Sequence, residues 1–219
     1  MTELNKRILT SAFLLIIIFF SFNNSYILYI FMFFINFFAL GEFFKLFKKI
    51  FINKNKTIFI ASILSTLYMV FFTLTIIYYL NGQFENNKNF LIFILLICVS
   101  TDIGGFVFGK IIGGKKLTSI SPNKTISGMI GSFIFALTFG LIFLNFLNHS
   151  IGMDLSLFLF IISTSFVSQV GDLLISYLKR MAKLKDTGSI LPGHGGILDR
   201  VDGILLALPF SIILIIITS

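Results

Sequence analysis

Apolar residues run along this 219-residue chain in long blocks, broken by short clusters of lysine, asparagine and glycine. The blocks fall at about 8–22, 26–44, 57–80, 89–109, 126–147, 155–178 and 203–218. A helix needs roughly 20 apolar residues to cross a hydrocarbon core of about 30 Å, and the first and last blocks are the shortest against that measure. Period-two alternation is absent and the blocks are too long for barrel strands, so helices are the expected spanning elements. The opening block follows Lys6 and Arg7, as a signal peptide would. SFNNSY then leads straight into the second block with no small-residue cleavage site, so the first is expected to remain as a membrane segment, one arm of a tight hairpin. The pattern predicts an all-α integral membrane protein, a polytopic bundle of about seven transmembrane helices. N-terminal helices occupy 1–90, and a C-terminal region over 91–219 holds two charged loops, 109–125 and 179–202.

Composition agrees with this setting. Hydrophobic residues make up 57% of the chain and charged residues 12%, with a mean hydropathy of +1.00. A soluble chain of this size could not cover so much apolar surface with so few polar groups. The net charge of +8 sits in particular loops, so no nucleic-acid partner is expected. Counted from N-terminus to C-terminus, the segments between blocks carry 2, 0, 5, 1, 4, 0, 5 and 0 lysines and arginines, which accounts for all 17. The positive-inside rule then predicts a cytoplasmic N-terminus and an external C-terminus. Both charged loops fall on the cytoplasmic side, where soluble nucleotides are found; in a bacterium this is the inner membrane. The single Cys98 lies in an apolar run and reads as helix filler, with no disulfide framework.

Only nine residues are acidic. Glu3, Glu85 and Asp154 read as solvated. Asp102, Asp172, Asp186, Asp199 and Asp202 fall at or just below the expected cytoplasmic surface. Asp102 and Asp172 lie inside apolar blocks, where an ionisable group is costly and usually faces a partner, a metal or water. Around Asp172, Ser165, Ser168, Gln169, Ser176 and Lys179 recur at helical spacing and form one polar stripe. Hydrogen bonding between helices is the plainer reading of the serines. Asp199 and Asp202 are three apart at the start of the last block and share a face if that start is helical. With Asp172 they would make an all-oxygen site suited to Mg²⁺, which takes one or two carboxylates plus phosphate oxygens and water. The plainer reading makes Asp199 a helix N-cap and sets Asp202 near the positive end of the dipole.

The loop GKIIGGKKLTSISPNKT (109–125) brings Gly109, Gly113 and Gly114, four lysines, and the hydroxyls of Ser121 and Thr125. The glycines allow close backbone approach, and the Ser-Pro turn leads into a helix whose N-terminus could hold an anion. No GxxxxGK[ST] spacing occurs, so this is not a Walker A loop. The second loop packs His194, Gly195 and Gly196 beside basic and acidic residues, a composition that suits phosphate and metal.

The stretch SQVGDLLISYLKRMAKLKDTGSILPGHGGILDRVDG (168–203) resembles the C-terminal motif of the phosphatidate cytidylyltransferases, the CDP-diacylglycerol synthases. Its Ser, Lys-Arg, Lys-Asp, Pro-x-His-Gly-Gly and Asp-Arg-x-Asp elements are all present in order. TDIGGFVFGKIIGGKKLTSISPNKTISG (101–128) is similar to the same family's Asp…Gly-Lys…Ser-Pro-x-Lys-Thr region, and ALGEFFKLF (39–47) bears a fainter likeness. Ser127 stands where relatives commonly have glutamate, and Gly105-Phe106 replaces a usual Ala-Tyr. The resemblance implies Mg²⁺-dependent transfer of CMP from CTP to phosphatidic acid, with a second cation left open and a homodimer compatible with the sequence.

It assigns metal binding to Asp172 and Asp199, then to Asp202 and Asp102. Phosphate contacts go to Lys179, Arg180, Lys185, Arg200 and Lys124, with Ser121 and Thr125. Ser176 joins the substrate set, and Asp186 either binds metal or holds a lysine. His194, Gly195 and Gly196 shape the nucleotide pocket. A CTP-dependent lipid kinase, a CDP-archaeol-type synthase, a transporter and an inactive relative stay open as alternatives.

Overall fold

The computed structural model describes residues 3–82, 87–118, 121, 124–146, 155–193 and 195–218. His194, Glu85 and Asp154 lie outside the described residues. Among those described, seven helices follow one another: α1 (Glu3–Asn23), α2 (Ser25–Ile50), α3 (Asn55–Asn81), α4 (Asn87–Ile111), α5 (Ile126–Phe146), α6 (Leu155–Met181) and α7 (Leu198–Thr218). Each apolar block falls within one helix as far as the described residues go; position 147, the last of the fifth block, lies outside them. Six of them, α2 to α7, are long and apolar enough to cross a membrane, while α1 carries a shorter apolar stretch, Ala12–Ser21. The architecture is the all-α polytopic membrane class. Large apolar side chains such as Phe33, Phe37, Phe59 and Phe71 remain exposed along the helices, as a lipid-facing surface requires.

Helix ends differ from the hydropathy blocks at two places that matter. α6 runs to Met181 and α7 begins at Leu198, because charged residues at a membrane edge extend helices beyond their apolar stretch. Asp199 and Asp202 are therefore both helical. The α6 end closes through a left-handed Lys183 (φ 56) and the Leu184 N–H donated to the Lys179 carbonyl (2.9 Å).

By contacts the chain forms two compact units. The first joins Met1–Leu74 to Leu178–Val201. In it α1 packs on α2, and Asn36 donates to Thr73 (2.8 Å) to tie α2 to α3.

The second unit joins Thr75–Tyr177 to Asp202–Ser219. Its core is Phe93, Ile97, Ala136, Leu144 and Ile161, with Phe93 stacked on Phe143 and Phe160 at 6.2 and 6.1 Å. α4 packs closely on α5 through small residues. A Cβ at Gly104 would overlap the Gly131 carbonyl and lie 2.7 Å from the Phe135 Cβ, and one at Gly128 would lie 2.8 Å from the Gly105 carbonyl. Without water to drive association, such backbone proximity is how membrane helices gain van der Waals contact. Buried hydroxyls add cross-links: Thr101 to Ser165 (2.8 Å), Ser132 to the Thr101 carbonyl (2.7 Å), and Thr164 with Ser211 (2.8 Å).

Candidate active site

In the second unit the α4–α5 contact and the polar face of α6 enclose a cavity of about 290 Å³. Thr101, Asp102, Gly105 and Phe106 line it from α4, and Thr125, Gly128, Met129 and Ser132 from the start of α5. Gln169 and Asp172 come from α6, and Leu117, Ser121 and Lys124 from the loop. That loop folds back on itself. Leu117 N–H donates to the Lys124 carbonyl (2.8 Å) and Ile126 N–H to the Lys115 carbonyl (3.0 Å), with Gly113 (φ 62) and Gly114 (φ 103) making the turn. The two glycines supply left-handed backbone that other residues adopt at a cost. Their effect is to carry Ser121 and Lys124 over the cavity.

The Lys124 ammonium pairs with the Asp172 carboxylate, and the two side chains are 27% and 23% exposed. Ser176, one turn on, donates to Asp172 (3.3 Å). Gln169 lines the same cavity, and its buried amide nitrogen has no hydrogen-bond partner among the described residues. A buried donor left unmet costs free energy comparable to a lost hydrogen bond, so a group that enters the cavity and accepts from it gains the difference. Asp202 belongs to this unit too: its backbone oxygen lies against Gly171, where an added Cβ would come within 2.6 Å.

Of the polar stripe on α6, Ser165 serves the helix contact, Gln169 and Asp172 line the cavity, and Ser176 bonds Asp172. Thr125 lines the cavity yet has a structural duty: its hydroxyl accepts from the Gly128 N–H (3.1 Å) and caps α5. Ser127 bonds the Thr125 hydroxyl (2.9 Å) and donates to the Gly113 carbonyl, so it braces the glycine turn. Gly105 faces Ser132, whose hydroxyl would lie 2.8 Å from an added Cβ.

The first unit holds the second cluster. Asp199 accepts from the Lys179 ammonium (2.8 Å) through one oxygen. Its other oxygen accepts from the Thr187 N–H (2.8 Å) and the Gly196 N–H (2.9 Å). The pair is nearly closed to solvent, with side chains 13% and 5% exposed. Lys179 thus neutralises Asp199, and Asp199 ties the first turn of α7 to the loop. Leu191 and Gly195 exchange backbone hydrogen bonds (2.9 and 3.2 Å) across a tight turn with Gly193 at φ 78 and Gly195 at φ 85. Asp186 sits beside Gly195, 3.3 Å from the position of an added Cβ. Arg180, Lys185 and Arg200 are exposed.

Sequence reasoning passed over the ninth acidic residue. Glu42, on α2, is completely buried and accepts three hydrogen bonds: from the Thr187 hydroxyl (2.7 Å), the Ile197 N–H (2.9 Å) and the Leu198 N–H (2.9 Å). The available signal was a carboxylate inside an apolar block, the same signal that marked Asp102 and Asp172. In neither unit do three or more Asp, Glu, His or Cys side chains among the described residues converge as a ready metal cage.

Comparison with known proteins adds an independent line. A family model described as the cytidylyltransferase family matches residues 6–218. The phosphatidate cytidylyltransferase of Staphylococcus saprophyticus is 41% identical over 139 residues, covering 63% of this chain and 53% of its own length. That of Staphylococcus epidermidis is 35% identical over 166 residues, covering 75% of this chain and 63% of its own length. That of Staphylococcus aureus is 43% identical over 129 residues, with 58% and 49% covered. The matches thus span between about half and just under two thirds of these curated relatives.

Proposed function

The chain belongs to the cytidylyltransferase family, and from that premise we propose that it transfers CMP from CTP to phosphatidic acid, yielding CDP-diacylglycerol and pyrophosphate. The observation that carries the reading is the cavity itself, which gathers Asp102, Asp172, Lys124, Ser121 and the Gln169 amide nitrogen beneath a glycine-turned loop. A phosphate-bearing ligand needs cations and N–H or O–H donors, and its ion needs carboxylates. Both sets line this one space. Its volume lies at the lower end of small-molecule pockets, enough for phosphate groups and too small for a diacyl lipid, whose chains stay in the bilayer.

The chemistry is a displacement at phosphorus. A phosphate oxygen of the lipid bonds to the α-phosphorus of CTP, the bond to the β-phosphate oxygen breaks, and pyrophosphate leaves with that electron pair. Both reactants are anions, so the chain's task is to position them and cancel their repulsion. Lys124 offers its ammonium to phosphate oxygens once Asp172 has another counter-ion, and Ser121 and Gln169 donate hydrogen bonds beside it. Arg180, Lys185 and Arg200 are the exposed cations that the motif assigns to phosphates, while Lys179 is the counter-ion of Asp199. No nucleophilic side chain is needed, because the lipid phosphate is itself the nucleophile.

The donor set fits Mg²⁺, a hard cation that takes one or two carboxylates and completes its shell with water and phosphate oxygens. Asp102 and Asp172, which line the cavity, would hold it; the motif also assigns Asp202, in the same unit, and Asp199, whose oxygens in the first unit already accept from Lys179, Thr187 and Gly196. When bound, the ion would neutralise phosphate charge and stabilise the leaving pyrophosphate. A CTP substrate would be met on the cytoplasmic side of the membrane, the inner membrane in a bacterium, and the clustering of basic residues in the two loops supports that reading.

The test is CTP-dependent formation of CDP-diacylglycerol from phosphatidic acid in detergent micelles with Mg²⁺. Wild type is expected to form product and Asp172→Ala to lose it by at least about a hundredfold, the scale for removing a group that stabilises transition-state charge. Well-folded wild type that makes no product would sink the proposal.

A further inference from the structure

Glu42 has no place in the chemistry above, yet it is the most completely buried carboxylate among the described residues. Three donors converge on it from a segment more than 140 positions away: the Thr187 hydroxyl and the Ile197 and Leu198 N–H groups. Those two amides are among the orphan donors at the start of α7, so the carboxylate meets them where the helix dipole favours negative charge. The Thr187 hydroxyl lies between two carboxylates, 2.7 Å from Glu42 and 3.0 Å from Asp199. Glu42 therefore reaches Asp199 through a single side chain.

The glycines of the loop are shaped to the same carboxylate. An added Cβ at Gly196 would lie 2.5 Å from both Glu42 oxygens and would overlap the Thr187 hydroxyl. One at Gly188 would lie 2.6 Å from a Glu42 oxygen and 3.1 and 3.4 Å from the Glu42 Cδ and Cγ. Gly196 is thus explained by the room a buried carboxylate needs, whatever else it does toward a nucleotide.

We propose that Glu42 is a positioning residue: its carboxylate clamps the 187–198 loop to α2, and through Thr187 and the start of α7 it holds Asp199 and its partner Lys179 in the geometry the transfer requires. The proposal rests on the cytidylyltransferase reading for its catalytic consequence and on the hydrogen bonds alone for its structural one. An ångström-scale shift of a reacting or charge-stabilising group is enough to change turnover by roughly a hundredfold. The clamp acts on placement of charge rather than on lipid binding, so its loss lowers kcat and leaves KM for phosphatidic acid nearly unchanged.

The experiment compares Glu42→Gln, Thr187→Val and Thr187→Ser in the full-length protein, by steady-state kinetics and by hydrogen–deuterium exchange of peptides covering 187–199. Glu42→Gln keeps the shape and sets an amide N–H₂ against backbone donors. It is expected to lower kcat roughly 10- to 100-fold and to speed exchange at 187–199 while the core of α4 and α5 stays protected. Thr187→Val is expected to act in the same direction. Thr187→Ser keeps the bridging hydroxyl and is expected to stay within about twofold of wild type. Wild-type kcat in Glu42→Gln, or equal losses in Thr187→Ser and Thr187→Val, would overturn the clamp. If wild type performs no CMP transfer, the reading of function fails separately and exchange alone decides: unchanged protection at 187–199 in Glu42→Gln then refutes the clamp.

Discussion

Breaking the Lys124–Asp172 pair should separate structure from catalysis. Two unit charges roughly 4 Å apart attract by about 1 kcal/mol in bulk water and about 4 kcal/mol at an effective dielectric of about 20. The two side chains are 27% and 23% exposed, so the pair lies between surface pairs, worth about 0–1 kcal/mol, and buried pairs, whose breaking costs about 3–5. A coupling of about 1–3 kcal/mol follows. The perturbation is a double-mutant cycle of Lys124→Ala, Asp172→Ala and both together. Denaturant or thermal unfolding in detergent gives stability, and CMP transfer to phosphatidic acid gives activity. In stability, the double variant should recover much of the loss, because it leaves no unmatched charge at the cavity wall. In activity, nothing should be recovered: on the proposed reading substrate phosphates use the ammonium and the ion uses the carboxylate, so each single variant and the double variant should fall at least about a hundredfold. A stability coupling under about 0.3 kcal/mol, the level at which sites simply add, would refute the pairing. Activity restored in the double variant would refute the catalytic assignment.

Three further outcomes follow from the same geometry. Gly104→Ala gains about 1 kcal/mol in helix propensity but drives a methyl into the Gly131 carbonyl and the Phe135 Cβ, so overpacking of about 1–3 kcal/mol should win and lower the unfolding midpoint. Gln169→Leu removes from the cavity wall a donor with no hydrogen-bond partner among the described residues, so stability should hold or rise while KM for CTP or the lipid increases severalfold in steady-state assays. Chelation of divalent ions with EDTA should abolish CMP transfer, and added Mg²⁺ should restore it, as followed by product formation.

The helices were legible because a membrane segment must be long and apolar, and among the described residues each block lies within one helix. The cavity was largely legible as well. Asp102 and Asp172 stood out as carboxylates inside apolar runs, and the glycine pair at 113–114 marked the turn that brings Ser121 and Lys124 to them. Pairing was less visible. That Lys124 meets Asp172 and Lys179 meets Asp199 depends on which faces pack together, and local spacing does not encode that. Thr125 does line the cavity, and its second duty as the α5 N-cap was not apparent because a cap and an anion site use the same hydroxyl chemistry. Ser127 stood out only as a departure from relatives, whereas it braces the glycine turn. Glu42 was the clearest omission: its partners lie 145 to 156 positions along the chain, and only tertiary structure brings them to α2.

The central claim concerns which phosphorus moves, and isotope placement reads it directly. Purified protein is incubated with phosphatidic acid, Mg²⁺ and CTP labelled at either the α- or the γ-phosphorus, and the extracted lipid is counted. Cytidylyl transfer predicts lipid label from α-labelled CTP, none from γ-labelled CTP, and loss of the α signal in Asp172→Ala. Label reaching the lipid from the γ position would contradict the account and make the protein a CTP-dependent lipid kinase.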